Sequence, residues 1–108
     1  IDDGLIALRV QDVPNPDTVR CIVENEGALG SRKGVNLPGI AVDLPPVSEK
    51  DEADLAYARD RGVDFVFASF IRNADGVRAV REVVGGEVRV IAKIENQEGI
   101  DNFDAILE

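Results

Sequence analysis

Histidine is absent from this chain. Nucleophile systems that pair serine or cysteine with an imidazole are therefore excluded, and so are imidazole metal ligands. Cysteine occurs once, at Cys21, so no disulfide can form within the chain. A single cysteine among β-branched residues reads as a small, buried apolar strand residue rather than a reactive thiol. Tryptophan and methionine are missing, and aromatics are only 5% of the residues. Long apolar runs are missing too. None approaches the ~20 residues a membrane-crossing helix needs, and no basic-then-apolar targeting segment opens the chain, so no membrane partner is expected. Positive charge is scarce: 12 Lys and Arg stand against 21 Asp and Glu, for a net charge of −9. Such a chain repels a nucleic-acid backbone, and no nucleic-acid partner is expected.

What is present fits a globular protein. With 108 residues, 44% hydrophobic and 31% charged, the chain can bury about one small core. It opens on Ile1-Asp2-Asp3-Gly4 without methionine and ends inside a helical pattern. Both ends are those expected of a segment cut from something longer.

The chain has two rhythms. Leu5 to Val13 alternates roughly apolar and polar, and Thr18 to Glu24 is rich in β-branched residues. Pro14-Asn15-Pro16-Asp17 between them is a turn signal, which predicts a β-hairpin. Gly27, Gly30, Gly34 and Gly39 then mark loops and short strands. The rhythm changes at Leu44-Pro45-Pro46-Val47. Ser48 followed by Asp51 predicts a capped helix that stops at Gly62. Val63 to Ser69 reads as a buried strand. A second helix is predicted over Asp75–Val84, with Val77, Val80, Val83 and Val84 on one side and Gly85-Gly86 as its stop. Val88–Ile94 reads as another strand and Glu98–Leu107 as a third helix. Helices alternating with strands predict parallel pairing through crossover helices, an α/β arrangement.

Four clusters could carry chemistry. Lys93 and Glu95 end the last strand, and side chains two apart share a face. The C-terminal ends of parallel strands are where α/β sites form. A lysine there can offset charge on a transferring phosphoryl group, and a carboxylate beside it can hold a divalent cation. A plain ion pair at a strand end explains the two residues equally well. Gly30-Ser31-Arg32-Lys33-Gly34 places two cations and a hydroxyl in a glycine loop suited to a phosphate. It also reads as an exposed basic turn. It does not fit a Walker loop, whose glycine, counted from Gly27, would fall at Arg32. Ser69 could line the same pocket as Lys93, although a hydroxyl capping the following helix is the preferred reading. Asp2-Asp3-Gly4 reads as a turn rather than a cation site, and the acidic run Glu49 to Asp54 as a helix start that complements the macrodipole.

Read in order, five strings resemble pyruvate kinases: Ile1-Asp2-Asp3-Gly4-Leu5-Ile6; Gly30-Ser31-Arg32-Lys33-Gly34-Val35-Asn36-Leu37-Pro38-Gly39; Leu44-Pro45-Pro46-Val47-Ser48-Glu49-Lys50-Asp51; Asp64-Phe65-Val66-Phe67-Ala68-Ser69-Phe70-Ile71-Arg72; and Lys93-Ile94-Glu95-Asn96-Gln97-Glu98-Gly99. The resemblance covers essentially the whole chain. It implies a partial (β/α)₈ (TIM) barrel over residues 43–108, preceded over residues 1–42 by the later part of a small β-barrel lid domain inserted into it. The implied activity is glycolytic phosphoryl transfer from phosphoenolpyruvate to ADP, giving pyruvate and ATP. By the same resemblance, Lys93 stabilises the phosphoryl group in flight and favours proton delivery to the enolate. Glu95 is a ligand of Mg²⁺ or Mn²⁺, and Lys33 reaches the nucleotide phosphates from the lid. The K⁺ site, the second metal carboxylate, the arginine that holds the phosphoryl group and the threonine near the pyruvate carbon belong to parts not in this segment. A cytoplasmic homotetramer is the assembly implied for the complete protein, and the segment alone is expected to be inactive. Two other readings remain: a non-catalytic fragment or pseudoenzyme with an assembly role, and a metal-dependent barrel lyase that handles an enolate. The basic-loop string argues against the lyase.

Overall fold

The longer helices of this chain start where a short polar side chain can accept from otherwise unpaired backbone N–H groups. The computed structural model describes residues 1–108. It divides into two compact units, Ile1–Leu37 and Pro38–Glu108.

In the first unit, β1 (Leu8–Asn15) and β2 (Thr18–Val23) form an antiparallel ribbon, with Leu8 opposite Val23 and Val10 opposite Cys21. The register shifts between Val10 and Asn15. The turn is tighter than the sequence suggests. Pro14 lies within β1, as a two-stranded ribbon permits, and Asn15 Oδ1 accepts from the Asp17 backbone N–H at 3.1 Å. The strand starts at Leu8 rather than Leu5 because residues 2–5 form a turn instead. Asn25 closes the base of the hairpin, accepting from Ala7 N–H and donating to Leu5 O. Cys21 is only half-buried, so the expected burial of that thiol is not realised: a lone ribbon leaves both faces open. Ile6 is the one buried apolar residue of this unit.

The second unit carries α1 (Glu49–Asp60), β3 (Phe65–Ala68), α2 (Ala74–Val84), β4 (Arg89–Ala92), α3 (Gln97–Asp101) and α4 (Phe103–Leu107). Ser48 caps α1 through the predicted box: its side chain accepts from Asp51 N–H, and the Asp51 carboxylate accepts from Ser48 N–H. α2 ends at Gly85, whose φ of 77° favours a residue without Cβ. The Arg59 guanidinium donates to Val83 O at 3.0 Å, placing a cation where the helix dipole is negative.

β3 and β4 pair in parallel, Phe65 opposite Arg89 through Ala68 opposite Ala92. Burial alternates along both strands. Val66, Ala68 and Val90 turn toward the helices, where Val80, Val84 and Val88 form the core with Val47, Leu55 and Val63 packed against it. Valine is a poor helix former, so packing of this stripe is what holds α2. Phe65, Phe67 and Ile91 lie on the opposite face and are exposed. The single helix expected over Glu98–Leu107 is instead two short ones, broken at Asn102 (φ −99°, ψ 12°). The break lets the Asn102 side chain donate to Arg72 O at 3.0 Å.

The capping box yields a prediction. The Ser48 hydroxyl, and then its backbone N–H, hold the Asp51 carboxyl below the usual aspartate range. A depressed folded pKa adds stability that is complete above the unfolded value and is lost as pH falls through the lower, folded one. Ser48→Ala is expected to cost the complete protein ~1 kcal/mol in denaturant unfolding at neutral pH. The gap between the two proteins should narrow, without vanishing, as the pH drops below the ordinary aspartate range, because the bond from the Asp51 backbone N–H to the Ser48 hydroxyl does not titrate.

Candidate functional site

Parallel pairing brings the ends of β3 and β4 to one edge. Past Ala68 and Ala92 the ladder continues for one more step: Lys93 N–H donates to Ala68 O at 2.9 Å, and Ile71 N–H donates to Lys93 O at 3.1 Å. Lys93 and Glu95 lie just past the end of β4, which stops at Ala92 rather than at the expected Ile94.

The two charged groups meet. Lys93 Nζ lies 3.0 Å from Glu95 Oε1 and donates to Ser69 Oγ at 3.2 Å. The other carboxylate oxygen, Oε2, accepts from the Phe70 backbone N–H at 2.9 Å. The Lys93 hydrogen bond, followed by the Phe70 N–H, holds the Glu95 carboxyl below its usual range, against a smaller opposing effect of burial. Glu95 is thus anionic at neutral pH. With side chains 42% and 40% exposed, Lys93 and Glu95 are both open to a ligand.

Ser69 stands beside Lys93, as one reading of the sequence had it, and does not cap α2. Asn73 does that, accepting from Gly76 N–H at 3.0 Å. A groove of about 390 Å³ between α1 and β3 is lined by Asp51, Leu55, Phe67 and Ser69 among others, but not by Lys93 or Glu95. The pair sits on an open strand-end face rather than inside that groove.

Sequence reasoning missed the segment that holds this edge together. Phe70 has φ of 59°, a left-handed conformation that costs a residue with a side chain about 1–2 kcal/mol. Three further bonds flank it. Ile71 N–H donates to Lys93 O, Ile71 O accepts from Asn96 Nδ2 at 3.3 Å, and Arg72 O accepts from Asn102 Nδ2. Asn96 also caps α3, accepting from Gly99 N–H at 2.8 Å. An asparagine directly before a helical pattern is a readable cap signal. A left-handed phenylalanine has none. On the other side of the same segment, the Arg72 guanidinium donates to Val42 O and Leu44 O.

Lys33 belongs to the first unit, where its ammonium pairs with Asp2 Oδ1 at 3.1 Å. Its loop includes Arg32 at φ 59°, and the Lys33 stem folds over Gly30, within 3.0 Å of where a Cβ would stand. The aspartate pairing had no counterpart in the sequence reading.

Nowhere do three or more His, Cys, Asp or Glu side chains gather in a metal-binding cluster. Glu95 is ionised, accessible and has lone pairs to spare beyond its two hydrogen bonds, so it fits the role of one oxygen ligand to a hard cation. It cannot form such a site alone. No helix is long and apolar enough to cross a membrane.

Gly99 shows how closely the two loops approach. A Cβ built there would lie 2.5 Å from Ile71 O and 3.2 Å from an Ile94 methyl. Gly99→Ala is therefore expected to destabilise the complete protein by about 1–3 kcal/mol in thermal or denaturant unfolding. An unchanged midpoint would mean that the loops yield freely.

Comparison with known proteins adds an independent finding. The family model described as pyruvate kinase, barrel domain, matches residues 1–108. The chain is 54% identical over 108 residues to a pyruvate kinase of Trypanoplasma borreli, covering 100% of this chain and 22% of that relative. It is 56% identical over 111 aligned residues to the human pyruvate kinase PKLR, of which it covers 19%. Pyruvate kinase of Schizosaccharomyces pombe is 48% identical over 111 residues, 22% of its length. The chain thus spans about a fifth of the length of these relatives.

Proposed function

The chain belongs to the pyruvate kinase family, and from that membership we propose that it supplies part of the active site for phosphoryl transfer between phosphoenolpyruvate and ADP in a longer protein. The observation that carries the proposal is the Lys93–Glu95 pair, accessible at the C-terminal ends of two parallel strands. Strand ends of this kind are where barrel enzymes build their sites.

In this reading the Lys93 ammonium stabilises negative charge on the phosphoryl group as it moves between oxygens, the main task in a reaction governed by positioning and electrostatics. Ser69, accepting from Lys93 Nζ, holds that ammonium in place. Glu95 provides one anionic oxygen ligand for Mg²⁺ or Mn²⁺. When bound, such a cation would offset phosphate charge and fix the ester's orientation. The remaining ligands and the K⁺ site would come from outside residues 1–108. Lys33, in its glycine loop, would exchange its Asp2 partner for a nucleotide phosphate. Residues 1–42 would form the later part of a lid and residues 43–108 part of a (β/α)₈ barrel. The ribbon of the first unit and the parallel strands with crossover helix of the second support that division. A cytoplasmic homotetramer is the proposed setting.

Two experiments test this. In the complete enzyme, Lys93→Met should lower kcat by about 100-fold or more while KM for phosphoenolpyruvate changes little, because charge stabilisation is needed mostly in the transition state. A change confined to KM would make the lysine a binding group only. In a coupled assay, the purified 108-residue segment should show no metal-dependent turnover. Turnover near that of the intact enzyme would refute the view that the site is completed elsewhere.

A further inference from the structure

Glu95 is held from a second direction, by a group that belongs to no side chain. The Phe70 N–H reaches Glu95 Oε2 at 2.9 Å across 25 residues of sequence. Phe70 makes this bond while taking φ of 59° immediately after Ser69. An aromatic residue bears the cost of that conformation when its surroundings over-determine it. Here they do: the next two residues are tied to the β4–α3 segment through Lys93 O and Asn96 Nδ2, and to the α3–α4 junction through Asn102 Nδ2. Gly99 leaves room for Ile71 O.

We infer that Phe70 is a positioning residue for the divalent-cation site: its left-handed backbone aims an N–H at Glu95 and fixes the carboxylate so that its remaining lone pairs face the open strand-end surface. The inference rests on the proposed role of Glu95 as a cation ligand. It assigns the effect to the backbone of Phe70, a residue 36% exposed, and not to its ring. Groups that orient a metal ligand typically govern affinity by about 10–100-fold. Glycine accepts the same φ at little cost and keeps the N–H.

The test uses the complete enzyme and Mn²⁺ alone, followed by electron paramagnetic resonance titration of free Mn²⁺. Replacing Phe70 by its α-hydroxy analogue, phenyllactate, converts the amide to an ester and deletes the N–H while keeping the ring. Mn²⁺ affinity should fall about tenfold. Phe70→Gly, which deletes the ring and keeps the N–H, should hold affinity within about twofold of the parent. If the ester binds Mn²⁺ as tightly as the parent, or if Phe70→Gly weakens binding as much as the ester does, the positioning role is overturned. Glu95→Gln separates this from the underlying reading. If Glu95→Gln leaves Mn²⁺ affinity intact, Glu95 is not a ligand and both proposals fall. If it weakens binding and the ester does not, only the role of Phe70 falls.

Discussion

The Glu95 carboxylate is gripped at both oxygens, by the Lys93 ammonium on one side and the Phe70 backbone N–H on the other. Much of the second unit serves that arrangement. Parallel register between β3 and β4 brings the two strand ends level, so that residues 69–72 can reach residues 93–96. The valine stripe of α2 packs the strands from one side and leaves the other face, with Lys93 and Glu95 at its edge, open. The asparagine latches then lock the post-β3 segment in a backbone conformation it would not choose by itself.

Charge-assisted bonds of this kind are stronger than neutral ones, yet at an accessible site their contribution to folding is modest. Their value is geometric. A lysine that is already held beside a carboxylate and a serine hydroxyl needs little reorganisation when an anionic ligand arrives. The apolar face beneath it, with Phe65, Phe67 and Ile91 exposed, would sit in water only at a cost. That agrees with a chain that spans about a fifth of its relatives' length.

Much of the local structure was legible in advance. The Ser48–Asp51 box, the valine stripe of α2 and the Gly85 stop all follow from rules that act within one helical turn. So did the hairpin and the alternation that leads to parallel strands. Other features depend on long-range partners. At the break, the Asn102 side chain donates to Arg72 O, a partner 30 residues away. Of the two readings of Ser69, the preferred helix cap gives way to the place beside Lys93, 24 residues away. The Lys33–Asp2 ion pair, which joins the basic loop to the start of the chain, likewise had no local signal.

By itself, the sequence determined which residues could carry charge chemistry, where the longer helices start, and, through five ordered motifs, the family. That the Lys93 and Glu95 side chains come together was also readable, because residues two apart in extended chain project to the same side. Only the tertiary structure decided how the carboxylate is aimed. The left-handed turn at Phe70, and the N–H it delivers, depend on contacts that join residues 69–72 to 93–102. No propensity of a phenylalanine foretells such a conformation, because intrinsic backbone energy disfavours it and packing alone sustains it.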